Sequence, residues 1–313
     1  MKSNYLQSSV ADLRYYLMHK VVILGCGWLG QQLGVALGRA GYQVFGTRQS
    51  INSCASLPEP IQPLVLQLPA LEFPSDLVAD ATVIVALPAS TPNYLQALQQ
   101  ISQSCTMANQ LFFCSSTGVY AGLAGHLAEA ELVTPMVLLD KVSLTGDYAQ
   151  ALAAANNPAA HSELSRVQRL LAAEIIMSQQ SNVVVLRLAG LIGPGRHPAK
   201  FCRHGTLTGP ELPVNMLHSF DIQQFLLTWL GQPQTAKALG SVFNLCSPEH
   251  PSKRQFYQHA CADAVIAEPQ FVLASDGISA EPARTIDVSL SLCLAGFRYQ
   301  FVSPISAIAH CLR

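Results

Sequence analysis

The 313 residues are 50% hydrophobic and 12% charged, with a formal net charge of −1, enough for one large core or two medium ones at about 100–200 residues per domain. No uninterrupted apolar run approaches the roughly 18 to 20 residues that span a bilayer, and no run of like charges gives a footprint for nucleic acid or a membrane surface, so the expected partner is a small molecule. Nine cysteines without a CxxC pair or regular spacing suit a reducing compartment better than a disulfide framework, and a cytoplasmic location is expected.

Residues 1–17 read as an N-terminal extension. They contain Leu6, Tyr15 and Tyr16 but no continuous apolar stretch followed by a small-residue cleavage site, so no signal peptide is expected. Met18 directly precedes the first predicted strand, Val-Val-Ile-Leu over 21–24, which ends in a glycine. Residues 29–40 then carry Leu29, Leu33, Ala36, Leu37 and Ala40 on helical spacing, and Gly41 closes the helix. A strand over 42–47, centred on Val44 and Phe45, completes a βαβ unit.

Further buried strands are predicted over 64–68, 82–87, 111–114 and 183–188, separated by helical stretches such as 93–104 and 163–177. The alternation predicts an α/β fold of the Rossmann type, a doubly wound parallel sheet with both faces covered. The polar, alanine-rich stretch 140–161 shows no strong period and reads as a surface insertion or a lid. Glycine, proline and histidine become frequent after about residue 190. The expected division is therefore a dinucleotide-binding domain over 18–190 and a smaller C-terminal substrate lobe over 191–313, some elements of which could return to the first domain.

Gly25-x-Gly27-x-x-Gly30 follows a strand and opens a helix. Gly25 permits a tight turn, Gly27 lets the backbone approach a pyrophosphate, and Gly30 lets helix and strand pack closely. The first helical residues, Trp28 and Leu29, present N–H groups and a partial positive charge to phosphates. The second strand ends in Gly46-Thr47-Arg48, where an NAD-selective site would often place an acid for the ribose 2′-hydroxyl. Arg48 could pair with a 2′-phosphate through its donor fork and Thr47 could add a hydroxyl, so NADP is favoured over NAD; otherwise Arg48 is a solvated surface residue. Leu87, Pro88 and Ser115 complete the expected cofactor-binding set.

Ser115-Ser116-Thr117-Gly118-Val119-Tyr120 places three hydroxyls at the carboxyl end of a predicted strand, the edge where open α/β sheets bind ligands. Here the chain resembles the NAD-dependent epimerase/dehydratase family, the extended and atypical short-chain dehydrogenases. The segments 187–196, 215–222 and Phe243-Asn244-Leu245 are similar to later family segments in the same order. The glycine turn is one residue shorter than in extended members, which points to the atypical branch of bacterial nucleoside-diphosphate-sugar epimerase-like proteins. The resemblance implies an NAD(P)-dependent oxidoreductase or epimerase acting on a small substrate such as a nucleotide sugar, and a possible homodimer.

The family's catalytic Tyr-x-x-x-Lys pair precedes a helical glutamate. Aligning that glutamate with Glu174 puts Arg166 at the tyrosine position and Leu170 at the lysine position, so the usual acid/base pair is absent. Thr117 matches the family's hydroxyl that holds the reacting oxygen. Tyr120 is the nearest other phenol, although its family counterpart is usually structural, and His197 could supply an acid/base near neutral pH or could bond only to backbone. Arg166, Arg169 and Arg196 could bind a diphosphate or simply be solvated. His218 and Asp221 match family positions at a strand-to-helix junction, where Asp221 would cap the helix. Cys202 and His204 are too few for a metal site, and none is expected. The alternative from another class is a non-catalytic NADP-binding sensor or scaffold. A hydroxyacid-type dehydrogenase sharing only the glycine turn is disfavoured by the segments after it.

Overall fold

The computed structural model describes residues 19–127, 145–158, 164–272 and 282–312. The 1–17 extension and the ends of the 140–161 stretch lie outside the described residues. Strand β1 (Lys20–Leu24) has Val21 to Leu24 fully buried, as a strand covered on both faces requires. It pairs in parallel with β2 (Gln43–Arg48), Lys20 opposite Gln43, and with β4 (Thr82–Val85), Val21 opposite Thr82. β2 pairs with β3 (Gln62–Val65), and β4 with β5 (Gln110–Ser116), again in parallel. With β7 (Val183–Leu188) and β11 (Val242–Leu245) the seven strands run in the order β11-β7-β5-β4-β1-β2-β3. The fold is the expected Rossmann-type α/β sheet. The chain reverses its direction of travel across the sheet between β1 and β4, which makes the end of β1 a topological switch point.

Helix α1 (Trp28–Arg39) follows β1, and α2 (Tyr94–Ser104) follows β4. Helix α4 (Arg166–Met177) begins at a capping box in which Ser165 and Gln168 exchange side-chain and backbone hydrogen bonds. The stretch expected to be irregular contains α3 (Thr145–Asn156). Its alanines have the highest intrinsic helix propensity, and Ala151, Ala154 and Ala155 are buried. The strand expected over 64–68 also differs: β3 covers Gln62–Val65 and is largely exposed. It is the edge of the sheet, the position at which Pro63 costs no ladder hydrogen bond.

The chain forms two compact units: Met1–Ser115 with Asp147–Val185, and Ser116–Gly146 with Leu186–Arg313. In the second, β6 (Gly125–Leu127) pairs with β13 (Arg284–Ile286), β8 (Gly190–Ile192) with β10 (Met216–His218), and β9 (Thr206–Thr208) with β12 (Gln270–Val272). Helices α5 (Ser219–Gly231) and α6 (Lys253–Asp263) belong to this unit. Phe225, Trp229, Phe243 and Phe297 pack there with ring centroids 5.3–5.9 Å apart.

Candidate functional site

The glycine turn stands at the switch point. Gly25 has φ +85°, and a Cβ there would lie 2.7 Å from Leu87 Cδ2 and 3.1 Å from Leu87 N, so both conformation and space call for glycine. Leu87, in the loop after β4, thus lies against the turn, and Pro88 follows it in that loop. A Cβ on Gly27 would meet only Gly25 O, at 4.0 Å, which leaves that side open to a ligand. At Gly30 a Cβ would lie 3.0 Å from Ile23 Cγ2, the mark of close packing between helix and strand. The cap of α1 is Gly27, which offers no side-chain hydrogen bond. The first N–H groups of a helix lack intrahelical acceptors and carry its positive end, so this start fits a pyrophosphate.

Thr47 does not sit as its sequence position suggested. It is 2% exposed; its Oγ1 accepts the Gly25 N–H at 3.0 Å and its carbonyl accepts the Cys26 N–H at 2.9 Å. Its hydroxyl therefore lies beneath the turn. Arg48 ends β2 half-buried, and its Nε is buried without a hydrogen-bond partner. A buried charged donor of this kind needs an acceptor, and the 2′-phosphate of NADP has the right chemistry. Burial pushes the Cys26 thiol up to about 11 even with the Arg48 charge beside it.

Ser115 is buried, and its Oγ donates to Glu174 Oε1 at 2.5 Å. Along α4, Arg166, Leu170 and Glu174 share one stripe by their spacing of four; Arg166 is exposed, Leu170 buried and Glu174 buried. Arg169 donates to Ala89 O at 3.1 Å and Leu164 O at 3.3 Å. It lines a cavity of about 310 Å³ together with Ser90, Thr91, Asn93, Tyr94 and Gln96. Ser90, Thr91 and Asn93 precede α2, and Tyr94 and Gln96 lie in its first turn; short polar residues before a helix are common in turns, so no local pattern marks them.

In the second unit Thr117 opens a 3-10 turn, Thr117–Tyr120, which Ser116 caps by accepting the Gly118 N–H at 3.1 Å. Tyr120 is fully buried. Its hydroxyl donates to Asn244 Oδ1 at 2.7 Å and accepts from Arg187 Nη1 at 2.8 Å, so both of its hydrogen-bonding roles are engaged inside the protein. His197 is 4% exposed. Its Nδ1 accepts the Ala199 N–H at 3.2 Å, and its Nε2 lies 3.2 Å from Asp263 Oδ2. With one nitrogen accepting, the other carries the proton and donates to the carboxylate. This is the structural role of His197, capping the 3-10 helix Pro198–His204. Arg196 is exposed in the preceding loop.

The start of α5 also corrects an expectation. His218 caps it, accepting the Phe220 N–H on Nδ1 at 3.1 Å. Asp221 instead lies fully buried in the first turn, where Oδ1 accepts from Gln300 N at 2.7 Å. Burial raises the Asp221 carboxyl to about 7, against the lowering effect of the Gln300 and Phe301 N–H groups. Burial likewise lowers His218 to about 4, opposed by the His310 carbonyl and aided by the His310 ring. Among the described residues no group of three or more His, Cys, Asp or Glu side chains could hold a metal, and no helix is long and apolar enough to cross a membrane.

No protein-family model matches the sequence. Among solved structures, a functionally unknown conserved protein from Silicibacter pomeroyi DSS superposes with a TM-score of 0.67 at 19% identity, over 93% of this chain and 98% of that one. The UDP-glucuronic acid 4-epimerase of Bacillus cereus, solved with UDP-glucuronic acid and NAD, gives a TM-score of 0.63 at 16% identity, covering 93% and 97%. The dTDP-glucose 4,6-dehydratase of Bacillus anthracis, solved with NAD, gives 0.63 at 13% identity, covering 94% and 95%. These establish a fold shared with a UDP-glucuronic acid 4-epimerase and a dTDP-glucose 4,6-dehydratase. Protein YeeZ of Escherichia coli is 32% identical over 302 residues, 92% of this chain and 98% of its own length, and the chain belongs to the family of that protein.

Proposed function

We propose that this chain is an NADP-binding oxidoreductase of the nucleotide-sugar epimerase and dehydratase kind, with NAD as the weaker cofactor. The observation that carries the reading is the buried, unpartnered Nε of Arg48 at the end of β2, on the strand next to an uncapped helix start behind the glycine turn. Bound there, the cofactor would supply hydride exchange at C4 of its nicotinamide. Gly25, Gly27 and Gly30 shape the phosphate cradle, Leu87 and Pro88 wall it, and Arg48 takes the 2′-phosphate. Carried over from the resemblance, Thr117 holds the substrate's reacting oxygen, and Arg166 in the first unit or Arg196 in the second is an exposed cation for a diphosphate. A cytoplasmic homodimer belongs to the same reading.

Replacing Arg48 with alanine removes a charge-assisted bond worth about 1.5–3 kcal/mol, roughly tenfold to a hundredfold in affinity. The loss should appear in NADPH titrations and not in NADH titrations. An equal loss for both nucleotides would contradict the assignment of Arg48.

A second reading, a non-catalytic NADP-binding protein, draws on specific geometry. Leu170 is buried where the resemblance calls for a lysine, Tyr120 is enclosed by Asn244 and Arg187, and both nitrogens of His197 are engaged. Chromatographic detection of product across a panel of nucleotide sugars with NADP or NADPH present separates the two, because epimerisation and dehydration return the hydride to the sugar and leave no net change in the nicotinamide. Turnover that disappears in Thr117→Ala supports the enzyme, whereas tight binding with no turnover on any of them supports the second reading.

A further inference from the structure

The last three residues of β2 stand in three different surroundings. At Gly46 a Cβ would lie 2.8 Å from Cys26 Sγ and 2.7 Å from Ile61 Cγ2, so the middle residue of the glycine turn packs where the strand has no side chain. Thr47 holds the N–H groups of Gly25 and Cys26, one through its hydroxyl and one through its carbonyl. Arg48 carries the unpartnered Nε. The third N–H of the turn, on Gly27, donates to Gly25 O at 2.7 Å. All three turn N–H groups thus have protein acceptors. Phosphate recognition falls to the first turn of α1, whose direction is set by how firmly the turn is held to β2.

We infer that Thr47 is a positioning residue for the dinucleotide pyrophosphate and not a contact of the 2′-phosphate. This rests on the cofactor reading above and sharpens the division of labour within it. A hydroxyl that is buried and already engaged with Gly25 is poorly placed to greet a phosphate at the mouth of the site. It fixes the turn before the ligand arrives, and this lowers the ordering cost of binding. The pyrophosphate is common to NADP and NAD, so what Thr47 contributes is common to both. Arg48 contributes only where a 2′-phosphate is present. Two adjacent residues on one strand therefore separate affinity from selectivity.

The test titrates wild type, Thr47→Val, Thr47→Ser and Arg48→Ala with NADPH and with NADH, with a thermal melt of each variant alongside. Valine keeps the β-branched shape but offers Gly25 no acceptor, and the loss of one net hydrogen bond predicts roughly threefold to tenfold weaker binding. The expected result is the same factor for both nucleotides, an unchanged preference between them, and recovery close to wild type in the serine variant. If the valine variant does not fold, Thr47→Ala, which adds no bulk, carries the same expectation. Wild-type affinity in a folded Thr47→Val or Thr47→Ala variant overturns the inference. So does a loss confined to NADPH, which would put the hydroxyl on the 2′-phosphate. Wild-type protein that binds neither nucleotide contradicts the cofactor reading itself and the role of Thr47 with it.

Discussion

His218 and Asp221 carry opposite protonation penalties within one helix start. Asp221 titrates at about 7 in the fold, above the ordinary carboxylate value of 3.8, so the native state holds the extra proton between those values. Its contribution to stability is full below the lower value and is lost as pH rises toward 7. His218 titrates at about 4, below its ordinary 6.5. There the unfolded chain binds the proton first, and stability is lost as pH falls through that window. The two slopes oppose each other. Asp221→Asn keeps an oxygen for the Gln300 N–H and should leave stability rising between about pH 4 and 6.5. His218→Asn keeps a capping oxygen and should leave stability falling toward about pH 7. Urea midpoints across this range check both, and identical profiles for the two variants would refute the assignment.

The same residues show what a sequence can and cannot convey. Three glycines at fixed spacing between a strand and a helix leave few alternatives, and they were legible. The direction of the Thr47 hydroxyl was not, because β2 alternates more exposed with buried residues only as far as Gly46, and Thr47 is buried directly after it. The capping role falls to His218, which directly precedes the first helical residue, while Asp221 lies inside the first turn; histidine is not among the usual caps, so no local pattern marks it.

At the scale of the element, α1 owes its seat to a glycine stripe. Gly30, Gly34 and Gly38 are spaced by four, and a Cβ on Gly34 would fall 2.6 Å from Ile61 Cδ1 and 3.1 Å from Ile23 Cδ1, while one on Gly38 would overlap the Pro60 ring. The stripe brings the helix backbone close to β1 and to the residues just before β3. Gly34→Val should cost about 1–3 kcal/mol through overpacking, in spite of valine's better helix propensity. A thermal midpoint equal to wild type would contradict this. Only Gly30 had been given such a task from the sequence, since Gly34 and Gly38 fall outside the turn motif. Edge strand β3 and helix α3 depart from the sequence expectation for a related reason: short apolar runs and alanine-rich tracts carry little period, and their neighbours decide their fate.

Over the whole chain, the parallel sheet was legible because strands and helices alternate with clear changes of period. The grouping of residues 116–127 with the C-terminal unit was not. It depends on pairings such as Gly125 with Arg284, and nothing local announces a partner so distant in sequence. The family relationship to YeeZ and the fold shared with nucleotide-sugar epimerases leave cofactor choice to the glycine turn and the end of β2. The central claim is that this turn holds a dinucleotide and that Arg48 makes it NADP. Fluorescence titration of the purified wild-type protein with NADPH and NADH tests it directly. The account predicts saturable binding well below millimolar nucleotide, tighter for NADPH than for NADH; failure of both to bind in that range would contradict it.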